Sequence, residues 1–506
     1  MNFLPCARHC FMAVAAAITP AVTVLLILCG VARAELTVVE NADEKQGLTV
    51  FKMTVTPAAE PVPALKHRLT LRELEVKPGN AATFYARAFP EGGIEATWRT
   101  LYKEFGEEDV QSWYSPTDVP LAKLPLDKAR EAASHFQTLV KSHVTPASER
   151  SDSDWGHSIL REMSGPEIYA FLLPEIQAMR SISRALMLVT RVAIADGEYE
   201  QAIDLLRMNY RMGENTAKSP FLVSGLVGIA ICGNGNYQVI ELIAAPDSPN
   251  LYWAIAELPQ PLVDLRVSAR YELSIHTLVF PFMKDAETAN HTPEEWARLL
   301  TESVQFLHPL GGGGPALNEF GAQTAATGLA LVTYADAKER LKESGMDAAK
   351  VEQMPVGQVI AVDAVREYDR VANQYEKWWY TPYNIAKRHA AEADDHLEAG
   401  GQFAGGYGRV LARLLLPAMQ AARSAEARLP WQLNAIQTVE AIRMHAAESG
   451  KLPASLDEIE VVPVPNNPVT EKPYEYRLEG DTAVLELPFS DGFPAAAWRF
   501  EITLAK

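Results

Sequence analysis

From Ala64 onward, apolar residues recur at three- and four-residue spacing between polar turn signals, the period of helices that bury one face. Ile168 to Ala195 and Glu257 to Lys284 show the pattern most regularly. Helix starts are marked where side chains offer acceptors to first-turn amides: Ser164-Gly165-Pro166-Glu167 and Ser455-Leu456-Asp457-Glu458 fit the capping box, and Thr292-Pro293-Glu294-Glu295 adds proline at the first helical position. Lys77-Pro78-Gly79-Asn80 and Pro90-Glu91-Gly92-Gly93 read as turns, and Gly311 to Gly314 as a loop after which helix resumes from about Asn318. Phe221 to Ala245 is apolar around its circumference, uninterrupted only as far as Cys232, and so predicts a central buried helix. In it Gly225, Gly228 and Ala230 leave room for a second helix to approach closely.

The two ends follow another period. Residues 35–63 mix Val and Thr with proline and acids, as in Leu48-Thr49-Val50-Phe51, which predicts an extended strand or linker. Near the other end a helix from about Leu429 to Ser449 stops at Gly450, with Pro453 beyond it. Tyr474 to Leu478 and Thr482 to Leu487 then alternate around Glu479-Gly480-Asp481, a β-hairpin pattern, and Trp498 to Leu504 supplies a third strand. The expected fold is therefore mainly α: a multi-helix body over 64–428 and a small C-terminal α+β module with an antiparallel hairpin over 429–506.

Residues 1–34 carry Arg8, a long uncharged stretch from Phe11 to Cys29, and then Ala32-Arg33-Ala34. This is the pattern of a secretory signal peptide, with cleavage expected after Ala34. The expected localisation is thus periplasmic or extracellular, with retention of the leader as a membrane anchor as the alternative. Three of the four cysteines fall in that leader, leaving Cys232 as the single thiol of the mature chain, expected to be a small buried hydrophobe. Removing the leader's two arginines takes the formal charge from −18 to −20. That sign argues against nucleic acid and anionic membranes as partners, and no stable membrane span is expected once the leader is gone.

Three resemblances follow from particular residues. Ala193-Ile194-Ala195-Asp196-Gly197-Glu198-Tyr199-Glu200-Gln201-Ala202 resembles the turn of a tetratricopeptide repeat, with Gly197 permitting the turn, Tyr199 packing across it and Ala202 letting two helices touch; it implies one helical hairpin. Gly450-Lys451-Leu452-Pro453-Ala454-Ser455-Leu456, Asn467-Pro468 and Lys472-Pro473-Tyr474-Glu475-Tyr476 resemble the soluble end of a type II secretion pseudopilin, which implies a local fold for this module alone. Over nearly the whole chain, Lys77-Pro78-Gly79-Asn80, Pro249-Asn250-Leu251-Tyr252-Trp253, Met354-Pro355-Val356-Gly357 and Lys377-Trp378-Trp379-Tyr380 are similar to a group of large secreted planctomycete proteins without an assigned activity. That similarity implies export and a helical body, and brings no catalytic residue with it.

The sequence contains no recognisable catalytic, cofactor-binding or metal motif. There is no His-Glu-x-x-His pair, no Gly-x-Ser-x-Gly elbow at Ser224, and no lysine after the glycines at 311–314 to make a phosphate loop. The nearest approach to acid–base or metal chemistry is His389 with Glu392, Asp394, Asp395 and His396, where a solvated charged helix face is the competing and preferred account. His445-Ala446-Ala447-Glu448 offers the same pairing more weakly. Tyr368, Tyr375 and Trp379 share a helix face, so core packing is expected for them, while Trp378, Tyr380 and Tyr383 complete the densest aromatic group. The favoured expectation is an exported helical scaffold or protein-interaction protein of the cell envelope, with another envelope protein as partner. The rival is an envelope hydrolase whose site is assembled from residues distant in sequence, with Glu392, Asp394 and His396 as its candidates.

Overall fold

The structure, a computed structural model, describes residues 35–505 except 41, 44–46, 91–92, 158–162, 166–167, 169–172, 311–314, 390–391, 393–394, 396, 398–405 and 489–496. The leader, the glycine run at 311–314, the Pro166-Glu167 half of one capping box, and Asp394 and His396 therefore lie outside the described residues. The fold is mainly α with a small sheet, as the periodicities predict.

Strands β1 (Glu35–Val39) and β2 (Thr49–Val55) open the chain, and β3 (Lys77–Asn80) and β4 (Arg150–Asp152) form a separate parallel pair. The turn expected at 77–80 is thus corrected to a strand. Its backbone is held by the Lys77 amide on Glu149 O at 2.7 Å, while Asn80 caps the following turn through the amide of Ala82.

The body is built from α1 (Ile94–Phe105), α2 (Pro174–Ala195), α3 (Tyr199–Ala217), α4 (Leu222–Ile243), α5 (Arg266–Val279), α6 (Pro293–Leu310), α7 (Glu319–Glu343), α8 (Val356–Glu376), α9 (Gly406–Leu415) and α10 (Pro417–Ser449). Where Thr292 starts α6, the predicted capping box is present in both directions: the Thr292 amide donates to Glu295 Oε2 at 2.7 Å, and the Glu295 amide to Thr292 Oγ1 at 3.2 Å. Asn318 caps α7 through the amide of Gly321 at 2.8 Å. At Ser455 the result is a single helical turn over 456–458, in which Glu458 Oε2 accepts the Ala454 amide while the Ser455 hydroxyl makes no cap bond.

Helices α2 and α3 form the expected hairpin, with Gly197 at φ 75° in the turn and Ala202 fully buried at the contact. The close crossing of α3 and α4 has a specific cause. A Cβ on Gly228 would sit 2.5 Å from Gly213 O, and one on Gly213 would sit 2.4 Å from Cys232 Sγ. Only hydrogen fits at either position. Gly225 instead admits the Leu265 side chain, and Ala230, expected at a helix contact, faces outward. Among the described residues α4 alone is long and apolar enough to cross a membrane, yet most of it is buried inside the protein. Cys232 on it is buried and free, and burial pushes its thiol well above the usual range.

Helix α10 starts earlier than the sequence pattern indicates and carries Pro430 inside it rather than near its start; it ends where expected, at Gly450 with φ 72°. Beyond it come β5 (Glu475–Glu479), β6 (Thr482–Leu487) and β7 (Trp498–Leu504), antiparallel in sequence order as predicted. The sheet continues further than that module, in the order β1-β2-β7-β6-β5, because β2 pairs in parallel with β7 from Thr49↔Trp498 to Val55↔Leu504. Its buried face presents Phe51, Trp498 and Phe500, whose rings lie 4.9–6.0 Å apart and meet Tyr237 of α4 and Trp431 of α10. Such aromatic pairs add roughly 0.5–1.5 kcal/mol each beyond their buried area. Tyr474 and Tyr476 fasten the hairpin by donating to Trp431 O at 2.8 Å and Pro453 O at 2.6 Å.

Candidate functional site

The strongest concentration of buried polar chemistry lies where the segment after β2, the loop after α4 and the second half of α10 meet. Glu440 and Arg443 are one turn apart on α10, and both side chains are fully buried. Arg443 Nη1 donates to Glu440 Oε2 at 2.8 Å, Nε to Thr56 O at 3.0 Å, and Nη2 to Ser248 O and Oγ at 2.9 and 3.0 Å. Glu440 also accepts from Asn250 Nδ2 at 3.0 Å and from the Leu251 amide at 2.8 Å. Burial pushes its carboxyl pKa up, against the opposing pull of Arg443 and the Leu251 amide. Asn250 closes the cluster by donating to Ala58 O and Glu440 O and accepting from the Tyr252 amide. A buried ion pair that meets this many partners holds three distant segments in one register.

Beside this clamp is a cleft of about 320 Å³ lined by Thr56, Ala58, Lys66, His67, Asp247 and Ser248 among others. Asp247 is one of two non-glycine residues with positive φ among the described residues, at 52°, and its amide donates to Thr56 Oγ1. Such backbone conformations concentrate at functional positions. His67 is buried, with Nδ1 3.3 Å from Glu200 Oε2, and Lys66 Nζ lies 3.6 Å from the other oxygen of the same carboxylate. Desolvation lowers the His67 pKa more than Glu200 raises it, so the ring is held neutral at neutral pH. Ser248 Oγ donates to Ile243 O at 3.2 Å and accepts from Arg443, so its hydroxyl belongs to the clamp. The cleft thus offers a neutral imidazole, an ammonium group and the Asp247 carboxylate to a small polar ligand.

A second buried pair does comparable work elsewhere. Arg191 binds Glu241 through Nε and Nη2 at 2.8–3.1 Å and spends its other donors on Trp113 O, Ser115 O and Val119 O, tying the loop after the first helices to α2 and α4. Sequence reading passed over Arg191, Glu241, Glu440 and Arg443. The available signal was a charge inside an otherwise apolar run, as in Val239-Ile240-Glu241-Leu242-Ile243.

Around residue 389, where the sequence comes nearest to acid–base chemistry and a solvated charged face is the preferred account, the described side chains of His389 and Glu392 lie at the surface. His389 Nδ1 is 3.1 Å from Glu392 Oε2, the two side chains are 36% and 66% exposed, and the imidazole stacks on the Trp378 ring at 4.2 Å. Asp394 and His396 are outside the described residues. Tyr368, Tyr375 and Trp379 are buried in the core as expected, while Tyr380 is exposed and donates to Glu376 at 2.7 Å. Among the described residues, no group of three or more His, Cys, Asp and Glu side chains is placed to hold a metal ion.

In comparisons with known proteins, the chain matches no protein-family model, no curated protein and no solved structure.

Proposed function

We propose that this chain is an exported helical scaffold or protein-interaction protein of the cell envelope, with another envelope protein as its partner. The observation that supports this reading is how the molecule uses its ionisable groups. Among the described residues, the fully buried charges of Arg443, Glu440 and Arg191 fasten separate segments to one another, while His389 and Glu392, two of the residues weighed from sequence for acid–base chemistry, stand at the surface. Internal fastening of this kind serves a body that must keep its shape while others bind it. The amino-terminal pattern supports export, and the net charge of −18 disfavours nucleic acid and anionic lipid as partners.

Two measurements test the reading. Protein recovered from its native host should begin at Glu35 and fractionate with the envelope; a soluble cytoplasmic chain that begins at Met1 would refute export. Cross-linking in the intact envelope, followed by mass spectrometry, should join this chain to one partner at fixed stoichiometry; an unlinked chain would refute the scaffold role.

A second reading, an envelope hydrolase assembled from distant residues, is favoured by one observation: the cleft is lined by His67 and Asp247 from separate parts of the chain, and Glu200 Oε2 lies 3.3 Å from His67 Nδ1. Its test is turnover of envelope-derived esters, peptides or glycans by the purified protein. Activity that His67→Ala abolishes would establish it, and its absence across those classes would leave the cleft with binding alone.

A further inference from the structure

Helix α7 carries two unlike faces. Ala322, Ala326, Thr333, Ala337 and Leu341 are buried, at the spacing of one helix side, and pack it against α6 and α8. The opposite side is exposed and yet uncharged from Phe320 to Ala335, in a protein of net charge −18. Along that side run Phe320, Thr324, Thr327, Gly328, Leu331 and Ala335, with Phe320 78% and Leu331 80% exposed and Val332 beside them at 58%. Gly328 has no role within the chain: a Cβ there would meet nothing within 4 Å, and its φ is not positive. A glycine inside a helix costs about 0.5–1 kcal/mol relative to alanine, so its place here calls for a body outside the chain.

The order of side-chain sizes identifies that body. Laid antiparallel against its own copy about an axis between Thr327 and Gly328, the stripe sets the large Phe320 opposite the small Ala335, Leu331 opposite Thr324, and Thr327 opposite Gly328. Every large residue then meets a small one, and the two backbones come closest at the glycine. A two-fold contact requires a surface complementary to itself in this way. Its lack of charge also suits a second copy, since two strongly acidic molecules meet with least repulsion where neither carries a carboxylate.

We infer that the exposed face of α7 is a homodimer contact, in which two copies pair antiparallel through Phe320, Thr324, Gly328 and Leu331. This inference goes beyond the scaffold reading and stands or falls without it. One helix of this length, about 1.5 Å per residue, buries less than the roughly 800 Å² per partner of a standard stable interface. Association is therefore weak and concentration-dependent.

The test uses the full-length chain, purified as its host leaves it. Sedimentation equilibrium from nanomolar to high-micromolar protein should show monomer passing to dimer. Leu331→Glu should weaken the dimer by about a hundredfold, because symmetry buries the new carboxylate twice. The position is exposed in the monomer, so circular dichroism and the thermal midpoint should stay at the parental values. Independently, Gly328→Cys should form an intermolecular disulfide under mild oxidation much faster than Glu343→Cys, which lies far from the axis. A chain monomeric at every concentration, a dimer that Leu331→Glu leaves intact, or equal cross-linking at the two cysteine positions would each overturn the inference.

Discussion

Glu440 Oε2 and Arg443 Nη1 lie 2.8 Å apart with neither side chain exposed, and each residue also holds backbone atoms that belong to other segments. Removing one charge leaves the other buried without its counterion. Glu440→Gln should therefore lower stability by about 3–5 kcal/mol, read as a shift of the urea unfolding midpoint. Replacing both by apolar residues, Glu440→Leu with Arg443→Met, is often harmless for a buried pair. Here it should still cost about 1–3 kcal/mol, because Thr56 O and Ser248 O lose their donor. A double variant as stable as the parent would show that the carbonyls find water.

His276 offers a pH signature. The ring is buried, lies 4.1 Å from the Tyr368 ring, has Nδ1 3.2 Å from Leu273 O, and keeps Nε2 3.8 Å from Asp369 Oδ1. Burial pulls its pKa down to about 4. Between about 6.5, the ordinary histidine value, and 4 the unfolded chain binds the proton and the folded chain does not, so stability falls as the pH is lowered through that window, by up to about 3 kcal/mol from this group. Burial of Glu440 and Glu241 raises their carboxyls and slopes the other way. The difference between the parent and His276→Gln isolates the histidine: unfolding free energies measured from pH 7 to 4 should fall less steeply in the variant.

Two glycine substitutions should move stability in opposite directions. Gly228→Ala drives a methyl to 2.5 Å from Gly213 O and should cost about 1–3 kcal/mol, as overpacking at a helix crossing does. Gly328→Ala meets open space and should stabilise the dilute monomer by about 0.5–1 kcal/mol through helix propensity. Denaturation curves of the two variants, collected side by side, check both signs.

Cys232 should resist thiol reagents in the folded protein. It is buried on α4 against Gly213, and its elevated pKa keeps it protonated. Titration with a disulfide reagent should find no reactive thiol among the described residues until denaturant is added, and then one. Fast labelling of Cys232 in native protein would mean that α3 and α4 separate readily.

Features written in local chemistry were legible in the sequence. The Thr292 box, the Gly197 and Gly450 positive-φ turns, the hairpin at Gly480 and the buried α4 each follow from residues within a turn or two of one another. What escaped was the long-range part. Nothing near Val50 announces Arg499 as its neighbour in the sheet, and nothing near Arg443 announces Thr56 or Ser248. Lys77 to Asn80 became a strand for the same reason, since its pairing partner lies beyond residue 149. The cleft at His67 was equally hidden: Lys66 and His67 are neighbours in the chain, but nothing near them announces Asp247 or Ser248 as the opposite wall.

The parallel pairing of β2 with β7 sets the order in which the molecule can be finished. Thr54 meets its hydroxyl partner Thr503, which lies 449 positions further along the chain, so β2 waits with an open strand edge until β7 has been made. Contacts of such separation are slow to form and leave that edge available to wrong partners meanwhile. A nascent chain therefore needs guarding until β7 has emerged, and one truncated just before Trp498 would leave the β2 edge open.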